Sequence, residues 1–291
     1  MAKIKILTDS ACDIPKELEE ELSIQIIPFP VAVDGKSYLE RVDFTNEEFY
    51  SILDTSERIP STAHITNVQF VEIYEQVLSE GYTDLIYTAI NATGSNTYQA
   101  ALMAKEMFYN EHPEASEKLR IWVVDSGNYS IAYGYPVVEA ARKAERGASA
   151  EEIVAYLEDW FASVIIYFAP YSLKYVKKSG RVSCAAAFVG EMIGLKPIIS
   201  IIDGETQIVE KVRGDKSIIP ALLKHAAKAM VPQTPYAIVG GTLPDRTAEL
   251  IETAAKQFGY EPAVSFQVGA AISINAGPQV VGIAIKGQKR R

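Results

Sequence analysis

The chain has 291 residues, 48% of them hydrophobic and 22% charged, with a formal net charge of −9 and a pI near 5.0. That length and apolar content support a sizeable core and exceed one average domain, so two domains are expected. The acidic balance speaks against a nucleic-acid partner, which needs Lys and Arg gathered on one face, and no run approaches the ~18 apolar residues of a membrane span.

Strand-like and helix-like runs alternate through the first half. IKILT (4–8) precedes a helix from about Pro15, IQIIPFPVAV (24–33) reads as one strand-like run, and helices follow over 46–55 and 67–80. LIYTAI (85–90), a helix over 97–110, RIWVVD (120–125) and a helix over 129–146 continue the pattern. Strands separated by helices of about 10–15 residues predict βαβ units, hence a parallel sheet covered on both faces. Functional residues in such sheets gather beyond the carboxyl ends of the strands. Three of those ends carry hydroxyl or acid groups: Thr8-Asp9-Ser10, Asn91 to Thr97, and Asp125-Ser126.

Ser149 suits the N-cap of a helix over 150–162, with Glu151 and Glu152 favourably placed against the helix dipole. The domain boundary is placed beside that helix, giving an N-terminal α/β domain over 1–160 and a C-terminal α/β domain over 161–291. The second half holds VIIYFAP (164–170), a helix ending near Gly180, a small-residue helix over 185–195 and an apolar pair over 197–214 that turns at Asp203-Gly204, a strong hairpin signal. A helix over 216–231, a strand over 236–241, a helix over 245–258 and strands over 261–269 and 280–287 follow, which together predict a mixed sheet with antiparallel pairs. The basic run at 286–291 reads as a solvated or disordered tail. No leader pattern opens the chain, and Cys12 and Cys184 show no metal-ligand spacing, so reduced thiols and a cytoplasmic location are expected.

No Walker A sequence, GxGxxG or HExxH is present, so neither a nucleotide site nor a cofactor is expected. His112 and His225 read as surface residues and no metal site is expected. His64 lies between Pro60 and a helix start, where Ser61, Thr62 and Thr66 suit either capping or ligand contact. The strand, turn and helix over 85–101 leave the Thr93 and Ser95 hydroxyls and several unpaired backbone N–H groups around one point, an arrangement that attracts an anion. Asp9 and Asp125 admit two readings: acceptors of backbone N–H bonds in their own turns, or ligands of a metal-assisted hydrolase or phosphotransferase. Asn275-Ala276-Gly277-Pro278 reads as a loop, and Arg181 and Arg213, each beside a glycine, as exposed loop arginines suited to carboxylate or phosphate recognition.

Taken together, IKILTDSACDIP (4–15), RIPSTAHIT (58–66), YTAINATGSNTYQAA (87–101), VVDSGNYSIAYG (123–134), LKYVKKSGRVS (173–183), IGLKPIISIIDGETQIVEKVRGDKS (193–217) and NAGPQVVGI (275–283) resemble the DegV family of bacterial fatty-acid-binding proteins, which includes the lipid-binding subunit of fatty acid kinase. The resemblance implies a two-domain α/β protein that holds one long-chain acyl group, such as palmitate, between its domains, without being an enzyme itself. It implies that Thr62, with Ser61 beside it, and Ser95 bond the fatty carboxylate. In members that work with a kinase, it implies a separate ATP-binding partner, faced by Arg181 and Arg213. The chain departs from the family pattern at Asn96, where a glycine is usual, at Gln279, where a glycine is usual, and at Asn275, which the resemblance places near the carboxylate as a further ligand-binding residue where a histidine is usual. Asparagine donates hydrogen bonds but carries no positive charge. The expected channel is dry and apolar, lined by the runs at 164–170 and 185–202, each buried CH₂ contributing about 0.8 kcal/mol.

Overall fold

Ile4–Asp9 (β1) is half-buried at its start and fully buried over its last four residues, the pattern of a strand covered on both faces. The computed structural model of the chain describes residues 3–184 and 194–290. Lys16–Glu21 (α1) leads to Gln25–Ile27 (β2), Pro30–Val33 (β3) and Lys36–Leu39 (β4). Asn46–Thr55 (α2), Ser61–Thr62 (β5), Asn67–Ser79 (α3), Asp84–Ala89 (β6), Thr97–Glu111 (α4), Arg120–Asp125 (β7), Ile131–Glu145 (α5) and Ala150–Phe161 (α6) follow. The later part contains Val164–Pro170 (β8), Leu195–Ile202 (β9), Glu205–Arg213 (β10), Ile218–Ala229 (α7), Tyr236–Gly240 (β11), Pro244–Phe258 (α8), Val264–Gln267 (β12), Ala270–Ala276 (α9) and Val280–Lys286 (β13).

The first sheet has the order β2-β1-β6-β7, with every pair parallel. Because β2 and β6 flank β1 on opposite sides, the strand order reverses there, and a crevice opens beyond the carboxyl ends of β1 and β6. The second sheet runs β10-β9-β8-β13-β11-β12, antiparallel except for the β11–β12 pair. Helix α5 is packed between the two sheets, touching β1 on one side and β8, β11 and β13 on the other. One core therefore runs from the first sheet through α5 and α6 to the inner face of the second, taking Ile166 and Phe168 of β8. Alternate residues Ile165 and Tyr167 point the other way, into a separate core under α7 and α8. This is the two-domain α/β architecture, with a parallel sheet in one half and a mixed sheet in the other.

Several local expectations are met by identifiable chemistry. Thr66 and Ser149 each cap a helix through a reciprocal capping box, with Gln69 and Glu152 respectively. Asp203 (φ 50°) and Gly204 (φ 80°) make the β9–β10 hairpin with both central residues in the left-handed region, which selects Asp-Gly.

Others are corrected. The run over 24–33 is two strands in different sheets: β2 pairs with β1, while β3 pairs with β4 and β5 in a small antiparallel sheet. Pro28 and Pro30 explain the break, since neither offers a backbone N–H to a continuous ladder. The helix expected before Gly180 is only the 3₁₀ turn Val176–Lys178. The helix expected over 185–195 lies outside the described residues as far as 193, and Leu195 already belongs to β9. Asn275, read as part of a loop, lies on α9, which ends at Gly277 (φ 84°). As far as Arg290 the basic run is tied down: Lys286 and Lys289 pair with Asp159 at 2.7 and 3.1 Å, and Arg290 bonds Asp203 at 3.1 Å and the Val164 carbonyl at 2.9 Å.

Candidate functional site

A cavity of about 490 Å³ occupies the crevice between the two sheets. Its apolar part is built by Phe29 after β2, Ile90 after β6, the inner-face residues Ile166, Phe168, Ile201, Val239 and Val280 of the second sheet, and Ala271 and Ile272 of α9. At its polar end the lining includes Thr62, His64, Thr93, Ser95, Asn96, Tyr129, Arg181 and Asn275. No aspartate or glutamate lines it among the described residues, in a chain whose net charge is −9.

The structure thus brings Thr62, Ser95, Asn275 and Arg181 to one cavity. Ser61 is the neighbour of Thr62 on the short strand β5, and successive strand residues face opposite sides. It is exposed and does not line the cavity. Arg213 is exposed at the end of β10, opposite Leu195 and outside the cavity, whereas Arg181 reaches across the opening to donate its Nε–H to the Gly94 carbonyl at 3.2 Å.

Four backbone N–H groups of the 91–97 turn are engaged by protein acceptors, whereas the start of α4 carries no side-chain cap. Ala92 N–H bonds Asp125 Oδ1, Thr93 N–H bonds Asn91 Oδ1, and Gly94 and Ser95 N–H both bond the Asn91 carbonyl, all at 3.0 to 3.2 Å. Ser95 Oγ lies 2.9 Å from Thr97 Oγ1, which in turn accepts Ile65 N–H at 3.3 Å, linking the 91–97 turn to the segment that carries Thr62. Asn275 accepts from Ser179 at 2.8 Å and donates to the Ala271 carbonyl at 3.0 Å, so it ties α9 to the Arg181 segment. Its Ser179 partner also receives Arg181 N–H at 3.1 Å.

Sequence reasoning placed Asn91 at a strand end but missed Tyr129 and the bond between them. Asn91 Nδ2 donates to the Tyr129 hydroxyl at 2.8 Å and to Thr93 Oγ1 at 2.9 Å. Gly94 makes room for that tyrosine, because a Cβ there would overlap the hydroxyl oxygen and stand 2.9 Å from ring Cε1. Burial raises the Tyr129 hydroxyl pKa, opposed by the bond from Asn91 and the charge of Arg181. Nothing in the spacing of Tyr129 marks it; only the fold sets it beside the turn after β6.

A second polar cluster lies deeper. Asp9 accepts from Tyr133 at 2.6 Å, Tyr87 at 3.0 Å and Ile90 N–H at 2.9 Å, and burial pushes its pKa up to about 6. Asp13 accepts from Ser130 Oγ and from Gly269 N–H at 2.7 Å, and Glu40 accepts from Ser10 Oγ at 2.5 Å and Ala271 N–H at 3.0 Å. Burial raises both of those pKa values as well. Asp13 and Glu40 hold the N-terminus of α9, the helix that forms one cavity wall. Asp125 Oδ1 accepts Ala92 N–H and Gly127 N–H, so Asp9 and Asp125 both serve as acceptors in the turns around them. Among the described residues, one group of three potential metal ligands occurs, Glu75, Glu111 and His112, on the surface away from the cavity. No described helix is long and apolar enough to cross a membrane.

Comparison with known proteins fits this geometry. A DegV domain-containing protein of Caldanaerobacter subterraneus subsp. tengcongensis is 31% identical, the match covering 97% of this chain and 98% of the relative. A Thermotoga maritima protein whose structure is described as revealing fatty acid binding function superimposes with a TM-score of 0.83 at 26% identity, covering 99% of this chain and all of that one. DegV of Bacillus subtilis, described as a fatty acid binding protein, gives 0.81 at 26% identity over 99% and 100%. The family model described as uncharacterised protein, DegV family, matches residues 3–287, and the chain belongs to the DegV family.

Proposed function

We propose that the chain binds one long-chain fatty acid, such as palmitate, with its carboxylate among Thr62, Ser95 and the nearby polar groups and its tail against the inner face of the second sheet. The observation that carries this reading is the lining itself: an apolar floor, one end rich in hydroxyls with an arginine beside them, and no acidic side chain among the described residues. Buried polar heads need donors, and the tail gains about 0.8 kcal/mol for each CH₂ removed from water. A volume of about 490 Å³ lies in the range of small-molecule sites. The solved relatives described as fatty-acid binders support the ligand class. On this reading the domains are 1–160 and 161–291, with the ligand between them, and the two free thiols suit a cytoplasmic carrier.

We further propose that the acid head is offered to a separate ATP-binding kinase for acyl-phosphate formation, with Arg181 at the opening and Arg213 on the adjoining surface as partner-facing residues. Mass spectrometry of the chain extracted under denaturing conditions tests the first reading: a stoichiometric C14–C20 fatty acid is expected, and a chain carrying none would sink it. Thr62→Val combined with Ser95→Ala is expected to abolish retention. Arg213→Ala is expected to spare lipid retention and abolish acyl-phosphate formation with a fatty acid kinase, and equal loss of both would remove its partner role.

A further inference from the structure

We infer that Tyr129 is a third donor to the acid head, aimed by Asn91, and that this pair favours a free carboxylate over its ester; the inference rests on the fatty-acid reading above. Tyr129 lines the cavity beside Gly94, Ser95 and Asn96. Among the described residues its one hydrogen bond is accepted, from Asn91 Nδ2 at 2.8 Å. A phenol has one proton to give, and none of the described residues accepts it. The direction of the Asn91 bond is constrained, because the carboxamide oxygen of Asn91 accepts from Thr93 N–H and so its nitrogen faces the tyrosine. Donation into the phenol oxygen also polarises its O–H, strengthening what it donates onward.

The surroundings match an anionic acceptor. Arg181 acts electrostatically on the phenol from the cavity opening, while the acidic neighbours that act on it, Glu205 and Asp125, lie outside the lining. Asn275 offers less than its place in the lining suggests, since its oxygen and one N–H are engaged with Ser179 and Ala271. The close approach of Gly94 to the phenol sets the ring against the same turn that carries Ser95, and both residues line the one cavity. A bond to a charged acceptor is roughly twice as strong as one to a neutral acceptor, so the phenol rewards a carboxylate more than an ester carbonyl.

The test uses the full chain freed of lipid and titrated with palmitate and with methyl palmitate. Tyr129→Phe keeps the ring and is expected to weaken palmitate binding about tenfold or more while changing methyl palmitate less than about threefold. Asn91→Ala keeps the phenol but removes its orientation, and a smaller loss, again confined to the acid, is expected. Unchanged palmitate affinity in Tyr129→Phe, or equal loss for acid and ester, overturns the assignment. Wild-type protein that takes up no palmitate instead overturns the fatty-acid reading on which it rests.

Discussion

Two polar clusters sit within one fold and are built on opposite rules. The Asp9, Asp13 and Glu40 cluster is acidic, fully buried, and has its carboxylates met by tyrosine, serine and backbone donors. Among the described residues, the cluster at the cavity end has hydroxyls, one arginine and no acid, and the Tyr129 proton is left without a protein acceptor. A satisfied network fixes structure and a network with donors left over is a place for a ligand, so the difference separates what holds the cavity from what the cavity holds.

Breaking the acidic cluster is expected to cost the most stability. Glu40→Ala strips Ser10 and Ala271 N–H of their buried acceptor, and urea unfolding is expected to show a loss of about 3 kcal/mol, with α9 loosened first. Next comes pH. Asp9 holds its proton more tightly folded, with a pKa near 6, than unfolded near 3.8, so its contribution is fully present below pH 3.8 and is lost as pH rises through 6. The wild-type advantage at pH 4 over pH 7 is expected to shrink by on the order of 2 kcal/mol in Asp9→Asn, read from unfolding curves at both values.

Smaller stability effects belong to the cavity end. Gly94→Ala drives a Cβ into the Tyr129 hydroxyl and is expected to cost about 1 kcal/mol while weakening fatty acid binding, a combination that calorimetry and ligand titration read separately. Thr62→Val with Ser95→Ala is expected to move the lipid-free chain by less than about 1 kcal/mol even though retention is lost. A large destabilisation in that last pair would erase the contrast between the two clusters.

Much of the scaffold was legible because its causes are local. The helices α2, α3, α4 and α6 begin where capping chemistry or an apolar period starts, and Asp203-Gly204 can only turn one way. Helix α9 was not legible for the opposite reason. Its seven residues are too few to form a stable helix alone, and the side chains that hold its start, Glu40 and Asp13, stand 231 and 256 positions away from the amides they bind. The same distance hid Tyr129, whose partner Asn91 lies 38 positions earlier on a neighbouring strand end. Resemblance to the family pattern reached Thr62 and Ser95, but the use of the turn's own N–H groups by Asn91 is a matter of backbone geometry that residue types do not reveal.

The place of β13 bears on when the protein first becomes able to work. It is an inner strand of the second sheet, between β8 and β11, although β8 ends at Pro170 and β13 starts only at Val280. A ribosome takes on the order of ten seconds to make the intervening chain. Throughout that interval Ile166 and Phe168 stand beside an unfilled gap in their sheet, and Val280 has yet to reach the cavity. On the fatty-acid reading, a bound lipid therefore doubles as a record that synthesis has passed β13.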